Sequence, residues 1–497
     1  MTICRWPQRA PPGRLLGWLL LYILLWTGVT QYLDPALPYD AVEAMNWGQN
    51  GEWGSPKNPW LVGAMMRPLL YFPALSPEHY WYLCHFVVIA GGMLGVWMLT
   101  RRLTGRADLA WLALMSLNLS GSINIDMLPY NDNYLLVGLW PWLFWALARA
   151  LATDSPRWGW PLFALLAGLA TMAKYSTVAL LLLLLLATLI SPSLRPLYRQ
   201  RRFWLAIAIY FALVTPNALW LTQHQFAAIH WVSGQLHPEP NLHASLAMLT
   251  VFYPLLIMTL LVYLSGGRLH WPAPGALRLS MLMLLIPLAL ILLWLTLYRG
   301  GRITEWLQPF VIPAIALLCA SLRGVSSRQI RRLSRGLSLL APLVLCGYAV
   351  VYLLDLRGCG QEWSGLKPFA RQAETFWRQQ SPTPLRLVGG DYLHQWLLVY
   401  AIARPRTIQP WQRDTPTPPN IYTPGITQAR IERDGVLLVG RLGAPCSPAA
   451  FRAVWRDWPE LQPHAYRQID FVAQPGAPHQ PLCLAIVPPR RGTNPAE

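Results

Sequence analysis

Long apolar segments recur through the first 354 of the 497 residues and restrict what the chain can fold into. The clearest are Leu15–Val29, Phe86–Leu99, Ser176–Ile190, Phe203–Leu213, Leu246–Leu264, Leu279–Leu297, Phe310–Leu322 and Leu337–Leu354. Several can cross a hydrocarbon core of roughly 30 Å as a helix. Only 12% of the residues are charged, whereas a soluble domain usually carries about twice that share. The sequence therefore predicts an α-helical polytopic membrane protein with about eleven spans.

The net charge of +18 is distributed in a way that indicates membrane topology. Arginines cluster in alternate loops. The five clusters are at positions 5/9/14, at 101/102/106, within 195–202, at 268/278 and within 323–335. This alternation predicts that the N-terminus is cytoplasmic. An odd number of spans then places the residues after Leu354 on the outer side. The basic excess is explained by topology, so we predict no nucleic-acid partner.

Two domains are predicted. Residues 1–354 form the transmembrane domain, with a long first outer loop at residues 32–80. Residues 355–497 form a small extracytoplasmic α/β domain that ends in a disordered tail. Its predicted strands are Leu385–Gly389, Gly435–Leu442 and Leu482–Val487, and its predicted helices are Leu366–Gln380 and Ser447–Trp458. Cys359, Cys446 and Cys483 lie in this domain, and the sequence does not show which two form a disulfide.

The predicted outer loops hold most of the acidic residues of the membrane portion. The strongest local pattern is Pro38-Tyr39-Asp40-Ala41-Val42-Glu43 at the start of the first outer loop. One interpretation is a capping box, in which Asp40 caps a helix and Glu43 is its third residue. The other interpretation is catalytic, because a carboxylate at the outer edge of a membrane cavity can accept a proton from a hydroxyl group. The two interpretations are compatible.

Four outer segments resemble, in order, those of the dolichyl-phosphate-mannose-protein mannosyltransferase-like family, part of the C-type glycosyltransferase superfamily. The first is Asp40–Glu43 followed by Trp47-Gly48-Gln49, Glu52-Trp53-Gly54 and Lys57-Asn58-Pro59-Trp60. The others are Tyr130-Asn131-Asp132-Asn133, Lys174-Tyr175, and Thr215-Pro216-Asn217 through Trp220 and His224 to Phe226. Two positions depart from the family pattern. Asn58-Pro59-Trp60 replaces a common His-Pro-Pro, and Asp132 stands where close relatives often have a small residue.

The resemblance implies a C-type glycosyltransferase fold and transfer of a sugar from a polyprenyl-phosphate donor to a lipid or glycan acceptor. The donor phosphate requires cations near the outer surface, and the candidates are Lys57, Arg67, Lys174, Arg299 and Arg302. The acceptor hydroxyl requires a base, and Asp40 matches the family's loop acid, with Glu43 beside it. The candidates for contacting the acceptor or the sugar are Asn131, Asp132, Tyr175 and His224.

Two other functions stay open at this level. A transporter or flippase of lipid-linked sugar would share the helical bundle and basic pockets, but the acids here lie in loops and no internal repeat is evident. A non-catalytic membrane scaffold is the third hypothesis, because the loop after Lys57 is altered. The partners predicted besides donor and acceptor are membrane lipids. We predict no cofactor and no metal-ligand set, and leave a divalent-metal requirement open.

Overall fold

The computed structural model describes residues 12–34, 36–125, 132–152, 155–234, 236–237, 250–297, 299–300, 303–354, 364–409 and 421–490. The chain forms two compact units. Unit 1 comprises the described residues within Met1–Gly28, Lys57–Leu61 and Leu83–Tyr348. Unit 2 comprises those within Val29–Pro56, Val62–Tyr82 and Ala349–Glu497. Most of the predicted first outer loop therefore groups with the C-terminal residues.

The chain up to Leu353 is mainly helical. Its helices are α1 (Gly13–Leu33), α2 (Tyr39–Asn50), α3 (Trp60–Ala64), α4 (Pro68–Tyr71), α5 (Pro77–Thr104), α6 (Ala107–Ser116), α7 (Tyr134–Ala150), α8 (Gly159–Ala173), α9 (Ser176–Ile190), α10 (Arg201–Gln223), α11 (Ala227–Gly234), α12 (Tyr253–Leu264), α13 (Ala276–Leu297), α14 (Ile303–Ala320), α15 (Ser327–Ser338) and α16 (Leu340–Leu353). Short 3-10 turns lie at Leu117–Leu119, Gly121–Ile123, Arg195–Arg199 and Thr250–Phe252.

Five described helical segments are long and apolar enough to cross a membrane: Gly13–Leu33, Pro77–Thr104, Arg201–Gln223, Ala276–Trp294 and Ser327–Leu353. Six shorter apolar helices accompany them in the described part of the chain. The number of about eleven spans stays a prediction. Leucines on α9 such as Leu182, Leu186 and Leu189 are exposed, as expected for side chains that face lipid. The protein is a multi-pass membrane protein.

Close contacts between helices organise the interior of unit 1. A methyl group on Gly92 of α5 would collide with the carbonyl of Val137 on α7, so glycine permits these two helices to touch. Trp140 of α7 packs edge-on against Phe310 of α14, with ring centroids 4.9 Å apart. Its indole nitrogen donates to the hydroxyl of Thr177 on α9 at 3.0 Å. This hydrogen bond satisfies the buried indole N–H group, which would otherwise be an unpaired donor.

The C-terminal part of unit 2 is built on a five-stranded sheet with the order β6-β5-β7-β9-β8. Strand β5 is parallel to β6 and β7, whereas β9 is antiparallel to β7 and β8. The elements are α17 (Leu366–Gln380), β5 (Leu387–Gly390), α18 (Leu397–Tyr400), β6 (Arg406–Thr407), α19 (Gln428–Asp434), β7 (Val436–Val439), α20 (Arg452–Asp457), β8 (Ala465–Phe471) and β9 (Gln480–Val487), with 3-10 turns at Tyr392–Trp396 and Pro448–Phe451. A small α/β domain was predicted, and the structure has one.

The core of this sheet region contains Leu438, Phe451, Val454 and Cys483, all nearly inaccessible to solvent. Cys483 on β9 forms a disulfide with Cys446. This resolves the pairing that the sequence left open for two of the three cysteines, while Cys359 lies outside the described residues. Short two-stranded pairings join β1 (Leu236–His237) to β3 (Arg299–Gly300) and β2 (Arg268–Leu269) to β4 (Leu322–Arg323).

Candidate active site

The carboxylates of Asp40 and Glu43 lie on α2, where they are 4% and 2% exposed. The helix begins at Tyr39 and its N-cap residue is Pro38, without a side-chain cap hydrogen bond. The capping-box interpretation is therefore wrong, because Asp40 is the second helical residue and not the cap. In the first turn Asp40 lies near the positive end of the helix dipole, which stabilises an anion. Asp40 and Glu43 are three residues apart, so they lie on neighbouring positions of one helix face.

Glycines fix where α2 ends and what it can touch within unit 2. Gly51, the C-cap, has a φ of 73°, a left-handed conformation that favours glycine. A Cβ on Gly48 would lie 2.6 Å from the carbonyl oxygen of Gly63. Arg67 donates from Nε to the carbonyl of Gly48 at 3.3 Å. Arg67, predicted as a phosphate ligand, thus contacts the backbone of the helix that carries Asp40.

The C-terminal half of α2 is held by the sheet region of unit 2. Asn46 and Asn50 donate from their amides to the carbonyl oxygen of Tyr422 at 3.2 and 3.0 Å. Gln49 donates to the carbonyls of Arg404 and Pro405 at 2.9 and 3.0 Å. Since positions 46, 49 and 50 share one helix face, this face of α2 is a docking surface for the C-terminal residues.

A second group of candidate residues forms a buried polar cluster in unit 1. Asp132, at the start of α7, is 1% exposed at its side chain. Its Oδ2 atom accepts a hydrogen bond from the amide of Asn58 at 2.7 Å. Lys174, the C-cap residue of α8, places Nζ 3.6 Å from the same oxygen and is 19% exposed at its side chain. We call Asn58, Asp132 and Lys174 the polar cluster. The two positions that depart from the family pattern, 58 and 132, therefore touch each other.

The other carboxylate oxygen of Asp132, Oδ1, differs from Oδ2 in its hydrogen bonding within the described part of the chain. Oδ1 is buried and has no hydrogen-bond partner among the described residues. A buried carboxylate oxygen without a donor is costly, so native structures usually satisfy it with water, an ion or a ligand. Lys174 and Asn58 hold the carboxylate in place from the Oδ2 side. The arrangement can therefore accept a hydrogen bond from a hydroxyl group of a bound sugar or acceptor.

The remaining candidates of unit 1 lie at the ends of its helices. Tyr175 follows Lys174 in the turn before α9, and burial raises the pKa of its phenol to about 12, opposed in part by the Asn217 side chain. This phenol is therefore a neutral donor at physiological pH. His224 at the C-terminus of α10 stacks on Trp220 at 4.2 Å and places Nδ1 2.8 Å from the Trp220 carbonyl. Nδ1 therefore carries the proton, which leaves Nε2 as an acceptor in the neutral ring.

Lys57 provides the cation next to the polar cluster in sequence. Its Nζ atom lies 5.5 Å from the ring centroid of Trp231 on α11, a cation–π contact. The adjacent residue, Asn58, belongs to the polar cluster. Among the described residues, no group of three or more His, Cys, Asp or Glu side chains is arranged to hold a metal ion.

The predicted site residues lie in unit 1, in unit 2 or outside the described residues. Lys57, Tyr175 and His224 are in unit 1. Asn58, which was not predicted, joins Asp132 and Lys174 in unit 1, while Asp40, Glu43 and Arg67 belong to unit 2. Asn131, Arg302 and the side chain of Arg299 lie outside the described residues. The sequence marks Asn58 as a departure from the family motif, but nothing local in the sequence links it to the second departure, at Asp132.

Comparisons with known proteins agree with this architecture. Residues 69–220 match the family model of dolichyl-phosphate-mannose-protein mannosyltransferase. No curated protein sequence matches the chain significantly. The fold is similar to the crystal structure of ArnT from Cupriavidus metallidurans bound to undecaprenyl phosphate, with a TM-score of 0.64 over 96% of this chain and 98% of that chain, at 14% identity. Apo ArnT from the same organism gives a TM-score of 0.59 over 95% and 98% of the two chains, at 15% identity.

The family resemblance is confirmed by these matches. The family model covers α5 to α10, including Asp132 and Lys174. The structural similarity covers nearly all of both chains, including the sheet region. The chain therefore has the fold of the C-type glycosyltransferases, and its residues 69–220 carry the sequence pattern of the dolichyl-phosphate-mannose-protein mannosyltransferase family.

Proposed function

We propose that this protein is a glycosyltransferase that moves a hexose or pentose from a polyprenyl-phosphate donor to a lipid or glycan of the cell envelope. It works at the outer face of the inner membrane, with its N-terminus in the cytoplasm and residues 355–497 outside. The fold, shared with an ArnT structure that holds undecaprenyl phosphate, supports a lipid-phosphate donor. The alternation of basic loops supports the orientation.

The observation that carries this proposal is the buried Asp132 carboxylate, fixed through Oδ2 by Asn58 and Lys174 with Oδ1 directed to no described residue. Burial of a charge in a membrane protein costs free energy, and such residues commonly belong to functional sites. Oδ1 binds a hydroxyl of the sugar or the acceptor. Tyr175 and the Nε2 atom of His224 provide a donor and an acceptor for further hydroxyl groups.

The reaction requires a base and a bound phosphate. The acceptor hydroxyl oxygen attacks the anomeric carbon of the sugar, and its proton passes to the carboxylate of Asp40. The bond between the anomeric carbon and the carrier phosphate breaks, and the polyprenyl phosphate leaves with the bonding electrons. Lys57, Arg67, Lys174 and Arg302 stabilise the charge that develops on the phosphate oxygens. Attack opposite to the leaving group inverts the configuration at the anomeric carbon.

The proposal is tested by comparing envelope lipids and glycans by mass spectrometry from cells that contain the protein, lack it, or contain Asp40→Asn. We expect a species heavier by one sugar only with the active protein, since loss of a general base slows transfer by about a hundredfold to ten-thousandfold. Asp470→Asn, which changes a carboxylate that is 68% exposed, is the matched control and is expected to retain the product. Unchanged product with Asp40→Asn would contradict the assignment of the base. Identical profiles with and without the protein would refute the transferase itself.

A further inference from the structure

A cavity at the arginine-rich end of unit 1 is separate from all residues assigned above. It has a volume of about 510 Å³ and lies where α1, α6 and α15 approach one another. Its wall includes Arg14, Trp18, Asp108, Trp111, Arg331 and Arg335. We call it the arginine cavity. A second cavity of about 630 Å³ shares Arg14 and Trp111 with it and adds Arg101.

The arginine cavity carries an uncompensated positive charge. Its one carboxylate, that of Asp108, receives two hydrogen bonds from Arg106, at 3.1 and 2.7 Å. None of Arg14, Arg331 and Arg335 has an ion-pair partner among the described residues. The sequence of residues 1–11 contains no Asp or Glu either. An anion of matching size would therefore be bound by three guanidinium groups.

Two of the three arginines of the arginine cavity, Arg331 and Arg335, lie on helix α15, which is anchored at its start and along its buried face. Helix α15 has the sequence SRQIRRLSRGLS, with no acidic residue. Arg331 and Arg335 are four residues apart, so their like charges repel each other, and a bound anion would relieve this repulsion. Ser326 and Gln329 form a capping box at the start of the helix. Ile330 and Leu337 are buried, and the Leu337 carbonyl accepts a hydrogen bond from Asn118 at 3.2 Å.

The surroundings of the arginine cavity favour a lipid over a soluble anion. Trp18 and Trp111 line it, and tryptophan is enriched at the level of lipid headgroups. Helix α15 leads directly into α16, and both belong to one membrane-length segment. Leu339 and Leu343, just after α15, are 63% and 64% exposed. Apolar surface for acyl chains thus follows directly on the basic wall.

We propose that the arginine cavity binds the phosphate-bearing headgroup of an anionic membrane phospholipid, with Arg14, Arg331 and Arg335 contacting the phosphate oxygens. Basic pockets between membrane helices bind anionic headgroups in this manner. The site lies in unit 1, and its occupancy does not depend on the sugar-transfer chemistry proposed above. The bound lipid fixes the position of α15 against α6, where its unpaired arginines would otherwise repel each other.

The test measures the melting temperature of the purified full-length protein in detergent during titration with phosphatidylglycerol, phosphatidylcholine or inorganic phosphate. We expect phosphatidylglycerol to stabilise the protein saturably and the other two to have little effect. Arg331→Gln/Arg335→Gln should shift the midpoint of the phosphatidylglycerol titration roughly thirtyfold higher, at about fivefold per arginine near an anionic surface. The matched control is Arg328→Gln/Arg332→Gln, which removes the same charge from the same helix away from the cavity wall.

Native mass spectrometry of the same samples counts retained lipid and separates a binding defect from a folding defect. A variant that melts normally without lipid but retains no phosphatidylglycerol supports the site. Equal midpoints for the two double variants would overturn the proposal, because the effect would then be diffuse electrostatics. Stabilisation by inorganic phosphate at the same midpoint would also overturn it, because the cavity would then recognise a soluble anion.

Discussion

Both units contain a buried carboxylate paired with a lysine, but they stabilise it differently. In unit 1, Asp132 is paired with Lys174, which is 19% exposed, and Oδ1 has no described partner. In unit 2, Glu78 is paired at 2.8 Å with Lys367, which is 44% exposed. Glu78 also accepts a hydrogen bond from the Ser76 hydroxyl at 2.5 Å. The acid of unit 2 therefore has a hydroxyl donor at Oε2 as well as the lysine at Oε1, and the charge of Arg404 also acts on it. The acid of unit 1 depends on the polar cluster, and its Oδ1 atom makes no hydrogen bond to a described residue.

The largest expected effect comes from breaking the pair in unit 1. Lys174→Met keeps the apolar stem of the side chain but leaves the buried Asp132 charge without its cation. We expect a loss of about 3 kcal/mol in the free energy of unfolding, measured by thermal or denaturant melting in detergent. Adding Asp132→Asn should recover much of this loss, since the stranded charge is then removed. A double variant as unstable as Lys174→Met would show that the two residues are not energetically coupled.

Unit 2 should respond to pH through a buried histidine. His394 contacts the carbonyl of Asp391 and the hydroxyl of Thr407, both at 2.8 Å, and burial lowers its pKa to about 4. The unfolded chain takes up this proton near pH 6.5. Stability is therefore complete above that pH and declines as the pH falls towards 4, by roughly 3 kcal/mol in all.

Hydrogen exchange can localise this response. Between pH 7 and pH 5, amides of β5 and β6 should lose protection, and α7 and α8 serve as the internal reference. His394→Asn retains a donor near the Nδ1 position and should abolish the pH dependence that this site contributes. His479→Gln, at a side chain that is 72% exposed, is the control and should behave as the original protein does. Equal loss of protection in the α7 and α8 reference would mean that the effect does not arise in unit 2.

The glycine contact within unit 2 gives an effect of intermediate size. Gly48→Ala places a methyl group against the Gly63 carbonyl, which is backbone and cannot move aside as a side chain could. We expect a destabilisation of about 1–3 kcal/mol, together with reduced transfer because α2 carries Asp40. Gly17→Ala is the matched control, since no atom lies within 4 Å of the added methyl group. Equal melting temperatures for the two variants would mean that α2 tolerates displacement at Gly48.

The smallest effect is expected at Lys367, the lysine that pairs with Glu78 in unit 2. Lys367→Met should cost about 1 kcal/mol or less, because the lysine is partly solvated and the Ser76 hydroxyl still donates to Oε2 of Glu78. Melting measured beside Lys174→Met provides the direct contrast. A cost as large as that of Lys174→Met would show that the two buried acids depend equally on their lysines.

The sequence predicts the fold well in segments where the pattern of apolar residues is strong. The predicted helix Leu366–Gln380 has the observed bounds, and the last strand was located within two residues of its observed start at Gln480. Strand β8, Ala465–Phe471, was missed because several of its residues are exposed and it lacks a continuous apolar run. The capping box was wrong because Pro38 occupies the N-cap position that the pattern gave to Asp40.

The candidate site was only partly accessible, for a physical reason. Asp132 and Lys174 each combine a charge with a family motif in a predicted outer segment, yet nothing local in the sequence shows that they meet. Asn58 was noted as a departure, and only the fold reveals that its amide binds the Asp132 carboxylate. A polar contact between segments distant in sequence depends on helix packing, which periodicity does not report.

By itself the sequence determined a membrane-embedded helical bundle, a C-terminal α/β region and a set of charged loops, because hydropathy and charge are properties of the residues themselves. Only the tertiary structure decided that α2 is held by the C-terminal residues. Asn46 and Asn50 bind the carbonyl of Tyr422, and Gln49 binds those of Arg404 and Pro405. These acceptors are backbone atoms, which every residue has, so no pattern of side chains could have identified them.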